Sequence, residues 1–180
     1  MKIGIVGTGN ISLKHLHEFN KIDKVKIEAV CDTNHSNLTK FLFHDKSIRG
    51  YSSLEEMLYK EKNFDGISNT TPDRFHKDIS LKILERGFNI FCEKPLAENF
   101  SDAKIMVKAA QKAKKINMVN FTYRESSAYQ KLVEIIKSGD LGVPRHVCAS
   151  YYQSWLTSNK WGNWQEEDKW LWRLSTKHGS

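Results

Sequence analysis

The first dozen residues constrain this chain more than any other stretch. Lys2-Ile3-Gly4-Ile5-Val6 is a short apolar run, and Gly7-Thr8-Gly9-Asn10-Ile11-Ser12 follows at once. An apolar run bounded by glycine predicts a strand. Ile11, His15, Leu16 and Phe19 then recur at helical spacing, predicting a helix from about Asn10 to Asn20. A strand that turns through Gly-x-Gly into a helix presents free backbone N–H groups at the turn. Gly7 permits the tight turn, and Gly9 lets the backbone approach a pyrophosphate. Ser12 occupies a third position that needs only a small side chain for helix–strand packing. Such a helix N-terminus is suited to an anion.

The same rhythm continues along the chain. Val25 to Cys31, Ile48 to Tyr51, Phe64 to Asn69, Phe88 to Cys92 and Asn117 to Phe121 read as further strands. Helices are predicted between them. Asn34 caps one that runs to about Phe43, and Ser52-Ser53 with Glu55-Glu56 suggests a capping box for one to Tyr59. Pro72-Asp73 opens another that stops at Gly87, and Ser101-Asp102 opens one to about Lys115. Strands alternating with helices indicate parallel βαβ units. The fold class expected is α/β, a Rossmann doubly wound parallel sheet, followed by the start of an α+β second domain. The texture changes after Tyr123: a helix from about Ser126 to Lys137, a turn at Gly142-Val143-Pro144, a strand from about His146 to Gln153, then a tryptophan-rich tail. The boundary is expected at 122/123, giving a Rossmann domain over 1–122 and the incomplete beginning of a second domain over 123–180.

Asp32 ends the second strand, 20 residues past Ser12. An acid there accepts hydrogen bonds from ribose hydroxyls and repels a 2′-phosphate, so the expected cofactor is NAD in preference to NADP. The competing reading is a tight turn in a ligand-free domain, with Asp32 as a loop acid.

Composition narrows the partners. The net charge is +7 with a pI near 9.2, which raises the question of nucleic acid. The lysines are spread out, however, and Lys104, Lys108, Lys112, Lys114 and Lys115 follow helical spacing as a solvated face does. No nucleic-acid partner is expected. No run approaches the roughly 18 apolar residues of a membrane helix. The N-terminus reads as a strand rather than a signal peptide, so a cytoplasmic protein is expected. Cys31, Cys92 and Cys148 are far apart and odd in number, and are expected to be reduced thiols buried in strands. No residue is assigned to a metal.

Three further elements make the pattern specific. Asn69-Thr70-Thr71-Pro72 ends the fourth strand, with His76 one turn into the next helix. Glu93-Lys94-Pro95 ends the fifth, and Asn120-Phe121-Thr122-Tyr123-Arg124 ends the sixth. In this order, after the Gly-x-Gly start, they resemble the glucose–fructose oxidoreductase / inositol dehydrogenase / MocA family over essentially the whole chain. The resemblance implies a Rossmann domain followed by an α+β domain whose open sheet often forms an oligomer interface. It also implies NAD(P)-linked oxidation or reduction of sugars, cyclitols or related polyols. It assigns Lys94 a catalytic or cofactor-orienting role and sets Glu93 and Thr71-Pro72 against the cofactor.

Read physically, Asp32, Thr71, Glu93-Lys94 and Asn120 lie at carboxyl ends of strands and should line one crevice. Together with what the resemblance implies, the expected cofactor-binding set is Gly7, Thr8, Gly9, Asn10, Ile11, Asp32, Thr70, Thr71, Pro72, His76, Glu93 and Lys94. Lys94 can polarise a substrate carbonyl or stabilise a developing alkoxide. His76 is either part of the site or a capping or surface residue. Arg124 either reaches a substrate pocket or pairs with an acid at the domain joint. Trp172-Arg173 matches a Trp-Arg pair that approaches the cofactor in the family. In the tail that holds Trp155, Trp161, Trp164, Trp170 and Trp172, three of them, Trp161, Trp170 and Trp172, either line a polyol-facing surface or pack in the core of the second domain. Family members continue into a glycine-rich turn with an Asp and a His that supply the acid–base group. The chain ending at Ser180 is therefore expected to be a truncated product, half of a split gene or an excised fragment. Dinucleotide binding is expected to survive, and turnover is the open question.

Overall fold

The computed structural model describes residues 1–154, 157–158, 162–163 and 166. The chain divides into two compact units, Met1–Asn120 and Phe121–Ser180.

The first unit alternates strand and helix throughout. Its strands are β1 (Lys2–Val6), β2 (Lys26–Cys31), β3 (Arg49–Tyr51), β4 (Gly66–Asn69), β5 (Asn89–Cys92) and β6 (Asn117–Val119). Its helices are α1 (Asn10–Phe19), α2 (His35–His44), α3 (Leu54–Lys60), α4 (His76–Glu85) and α5 (Phe100–Ala113). All five pairings are parallel, in the order β3-β2-β1-β4-β5-β6. The order reverses between β1 and β4, and in doubly wound sheets ligands bind outside the carboxyl ends at that point.

Strand alternation sorts the apolar side chains onto two faces. Ile3 and Ile5 of β1 pack with Ile27, Val30, Leu16, Leu38 and Phe41 beneath α1 and α2. Val6 belongs to the opposite core, with Ala29, Met57, Ile67, Ile83, Leu84, Ile90 and Ala110 beneath α3, α4 and α5. A sheet covered on both faces needs such near-continuous apolar strands.

Several helix starts are local chemistry. Asn34 accepts the Asn37 N–H, and Ser53 accepts the Glu56 N–H. The reciprocal half of the capping box does not form, because Glu56 turns to Lys60 instead. Pro72-Asp73 opens a 3-10 turn, Asp73–Phe75, before α4 proper begins at His76. The cap of α5 is Asn99, which accepts the Asp102 N–H, so that helix starts one residue earlier than the sequence suggested. β6 stops at Val119, short of the expected Phe121.

In the second unit α6 (Ser127–Ser138) is capped by Ser126 and closed by Gly139 at φ 82°. The strand expected over 146–153 does not form among the described residues. Alternating apolar residues make a strand only where a neighbour accepts its backbone hydrogen bonds. Cys148 is accordingly exposed rather than buried in a strand, whereas Cys31 and Cys92 are buried as expected. Among the described residues no helix is long and apolar enough to cross a membrane.

Candidate dinucleotide site at the carboxyl edge of the sheet

The register builds the site. Val6 pairs with Cys31 on one side and Asn69 on the other, Asn69 with Cys92, and Cys92 with Val119. The residues that follow therefore stand in one row: Asp32, Gly7, Thr70, Glu93 and Asn120. Neighbouring strands are about 4.8 Å apart, so Asp32 and Glu93 are about 14 Å apart across the edge. The row suits an elongated ligand lying across the switch point.

Its centre is the β1–α1 turn. Gly7 has φ +89°, and a Cβ there would meet the Thr71 nitrogen at 2.8 Å and the Thr70 carbonyl carbon at 2.9 Å. Only glycine accepts both the left-handed backbone and this close approach. Thr70 reinforces it by donating its hydroxyl to the Gly7 carbonyl at 2.6 Å, with the Val6 carbonyl at 3.0 Å. Gly9 is different: its φ is −74°, and a Cβ would meet nothing within 4 Å. The space over Gly9 is open, and no side chain caps α1 and no acid occupies its first turn. Exposed Asn10 and half-buried Ile11 follow. An open approach onto uncapped N–H groups fits a pyrophosphate.

Asp32 stands beside this turn. Its Oδ2 accepts the Thr8 N–H at 2.7 Å and the Thr8 hydroxyl at 2.9 Å, and Oδ1 accepts the Asn34 N–H at 2.8 Å. A carboxylate offers about four lone-pair sites, so Oδ1 keeps capacity for a hydroxyl donor.

On the other side the β4 and β5 loops are locked together. The Asn69 Oδ1 accepts the Thr71 hydroxyl at 2.7 Å and its N–H at 3.3 Å. The Thr70 and Thr71 hydroxyl protons thus go to protein acceptors, and the two residues shape the crevice wall. Pro72 is exposed at the rim. His76 is 1% exposed. Its Nδ1 lies 2.8 Å from the Pro95 carbonyl and its Nε2 2.8 Å from the Thr71 carbonyl. Of the readings open for it, the structure excludes a surface residue and makes it a bridge between loops.

Glu93 is also buried. Its Oε1 accepts from His15 Nε2 at 2.8 Å and from Asn120 Nδ2 at 2.6 Å, and Oε2 accepts the Lys94 N–H at 3.2 Å. His15 Nδ1 reaches the Ser68 hydroxyl at 2.9 Å. Since the carboxylate only accepts, His15 carries its proton on Nε2. Burial pushes the Glu93 carboxyl up, but hydrogen bonds from His15, Asn120 and the Lys94 N–H outweigh it and hold the group below its ordinary value. Lys94 itself is exposed on the crevice, with the Lys94–Pro95 peptide in the cis form.

The sequence reading gave His15, Ser68 and Asn69 no role in the site. The available signal was His15 on the buried face of α1 beside Leu16, because a polar ring there requires a partner. Arg124 lies in the second unit, 3.6 Å from Glu125. Trp172 and Arg173 lie outside the described residues, as do Trp155, Trp161, Trp164 and Trp170.

A parallel sheet in this order, with an open glycine turn at the switch point and an acid ending β2, defines a dinucleotide-binding Rossmann domain. The comparisons agree. Residues 1–121 match the family described as "Oxidoreductase family, NAD-binding Rossmann fold", and the chain belongs to that family. The inositol 2-dehydrogenase of Salmonella typhimurium is 31% identical over 160 residues, covering 86% of this chain and 46% of the relative. The glucose-6-phosphate 3-dehydrogenase of Bacillus subtilis is 29% identical, covering 78% of this chain and 39% of the relative. Among solved structures, the WlbA dehydrogenase from Bordetella pertussis, in complex with NADH and UDP-GlcNAcA, superposes with a TM-score of 0.74. It is 30% identical, with 78% of this chain and 43% of that one covered. The chain thus spans less than half the length of these relatives.

Proposed function

We propose that this chain binds NAD(H) in preference to NADP(H), and that it represents the cofactor half of a dehydrogenase acting on sugars, cyclitols or related polyols. The observation that carries the reading is the row Asp32–Gly7–Thr70–Glu93–Asn120 along one sheet edge, with open space over Gly9.

Asp32 would take the adenosine ribose hydroxyls, and the backbone of Gly7-Thr8-Gly9-Asn10-Ile11 the pyrophosphate. The Thr70-Thr71-Pro72 wall and the Glu93-Lys94 segment would flank the nicotinamide end. His76 and Glu93 act from behind, holding the loops that carry Thr71 and Lys94. A bound nicotinamide supplies hydride acceptance or donation. The Lys94 ammonium donates a hydrogen bond to the substrate oxygen, polarising a carbonyl or stabilising a developing alkoxide.

Residues 123–180 begin an α+β substrate domain, in which Arg124 and Trp172-Arg173 would approach the substrate and a sheet would pair subunits. Buried, unpaired Cys31 and Cys92 suit a reducing compartment such as the cytoplasm. A second reading, a module that holds the dinucleotide without turnover, has one observation in its favour. The chain spans 46% of the Salmonella typhimurium relative and 39% of the Bacillus subtilis one.

Calorimetric titration of the chain with NADH and NADPH, with Asp32→Ala as control, tests the binding claim. NADH binding, weaker NADPH binding and loss of NADH affinity in the variant are expected. Binding of neither dinucleotide overturns the reading.

A further inference from the structure

We infer that Thr8 is a specificity-determining residue: its hydroxyl holds the Asp32 carboxylate in register with the phosphate cradle, and so sets the preference for NADH over NADPH. The inference rests on the dinucleotide-binding reading above.

The Asp32 carboxylate has two kinds of partner. The Asn34 N–H on Oδ1 comes from its own loop and moves with it. The two Thr8 bonds on Oδ2 come from the β1–α1 turn, 24 residues away in sequence. They tie the acid's side chain to the cradle, as the Gly7 N–H on the Cys31 carbonyl at 2.8 Å ties its backbone. Thr8 is 6% exposed, so its hydroxyl is not exchanged freely for water. Without the hydroxyl, one backbone N–H is the carboxylate's single bond to the turn, and the Asn34 N–H holds Oδ1 to its own loop. The hydroxyl doubles the bonding of Oδ2 to the turn and so fixes the carboxylate against the cradle more tightly.

The surroundings make this placement matter. Thr33-Asn34-His35-Ser36-Asn37, which follows the acid, contains no Lys or Arg to accept a 2′-phosphate. Asn34 is committed as the α2 cap, and His35 Nδ1 lies 3.4 Å from the Thr39 hydroxyl. Discrimination therefore depends on where the Asp32 charge sits. A carboxylate facing the ribose accepts its hydroxyls and repels an added phosphate, while one free to turn does both less well.

The test is the ratio of NADPH to NADH dissociation constants for wild type, Thr8→Val, Thr8→Ala and Thr8→Ser, measured calorimetrically. Valine matches threonine in shape and removes the hydroxyl. NADH affinity should fall about three- to tenfold, the size of one lost hydrogen bond. NADPH affinity should change less, so the ratio falls. Serine keeps the hydroxyl and should keep the wild-type ratio. Alanine, which introduces no new bulk, should repeat the valine result and serves where valine does not fold, as judged by thermal melting. Equal losses for both dinucleotides, or an unchanged ratio in Thr8→Val and Thr8→Ala, would overturn the inference while leaving the NAD reading intact. Wild-type protein that binds neither dinucleotide would overturn both.

Discussion

His15 Nε2 lies 2.8 Å from Glu93 Oε1, joining the helix that leaves the phosphate turn to the strand end that carries Lys94. Both side chains are more than nine-tenths buried. Ser68 on β4 and Asn120 after β6 complete the cluster. Four elements thus meet in one polar network beneath the crevice. Removing one partner of a buried pair leaves the other without compensation. His15→Leu is therefore expected to destabilise the first unit by about 3 kcal/mol. Urea unfolding followed by circular dichroism checks this, and a loss below about 0.5 kcal/mol would mean the pair is not formed.

The same cluster gives a pH signature. The folded Glu93 carboxyl lies below its ordinary value, while the unfolded group titrates near about 4.3. A depressed folded pKa contributes stability that is fully present above the unfolded value. It is lost as pH falls through the folded one. Stability should accordingly drop on acidification below about pH 5, and Glu93→Gln should remove part of that slope. Urea melts of both proteins between pH 3 and 6 make the comparison. Parallel curves would rule Glu93 out as a contributor.

The two glycines of the turn should fail in different ways. At Gly7 an added methyl meets backbone atoms at 2.8–2.9 Å on a left-handed residue. Gly7→Ala is expected to cost at least about 2 kcal/mol. At Gly9 the methyl meets no protein atom, so Gly9→Ala should melt as wild type does. It should still lose NADH affinity by about tenfold or more, equivalent to about 1.4 kcal/mol. Melting curves and NADH titrations on both variants separate the effects, and a Gly9→Ala protein with full affinity would remove Gly9 from the cradle.

His76 joins the Thr71 and Pro95 carbonyls through its two ring nitrogens. His76→Leu keeps much of the volume and removes the ring N–H, which a neutral imidazole donates to one of the two carbonyls. A loss of about 1–3 kcal/mol is expected. Hydrogen exchange should quicken around residues 71–76 and 93–97 while β1 and β2 keep their protection. Uniform quickening would point to global destabilisation instead.

The cysteines should divide two to one. Burial pushes the Cys31 and Cys92 thiols up to about 12, so neither supplies thiolate near neutral pH. Cys148 is exposed. A disulfide reagent at pH 8 should modify one thiol in the folded chain and three after denaturation. Rapid reaction of a second thiol would show that the first unit opens readily.

The sequence by itself determined the alternation of strand and helix in residues 1–120. Apolar period, glycine turns and capping residues act within a few positions of one another, and those are what a linear reading resolves. The Gly7–Gly9 turn, the Asp32 ending of β2 and the Glu93-Lys94-Pro95 segment were legible for the same reason. Two things were decided only in three dimensions. One is which side chains face the crevice: Thr70, His76 and Glu93 turned out to brace it from within, because packing set Thr70 on the Gly7 carbonyl, His76 between the Thr71 and Pro95 carbonyls and Glu93 against His15 and Asn120. The other is the fate of residues 146–153, whose alternating pattern found no strand to pair with among the described residues. A helix satisfies its backbone locally, whereas a strand and a buried polar cluster depend on partners distant in sequence.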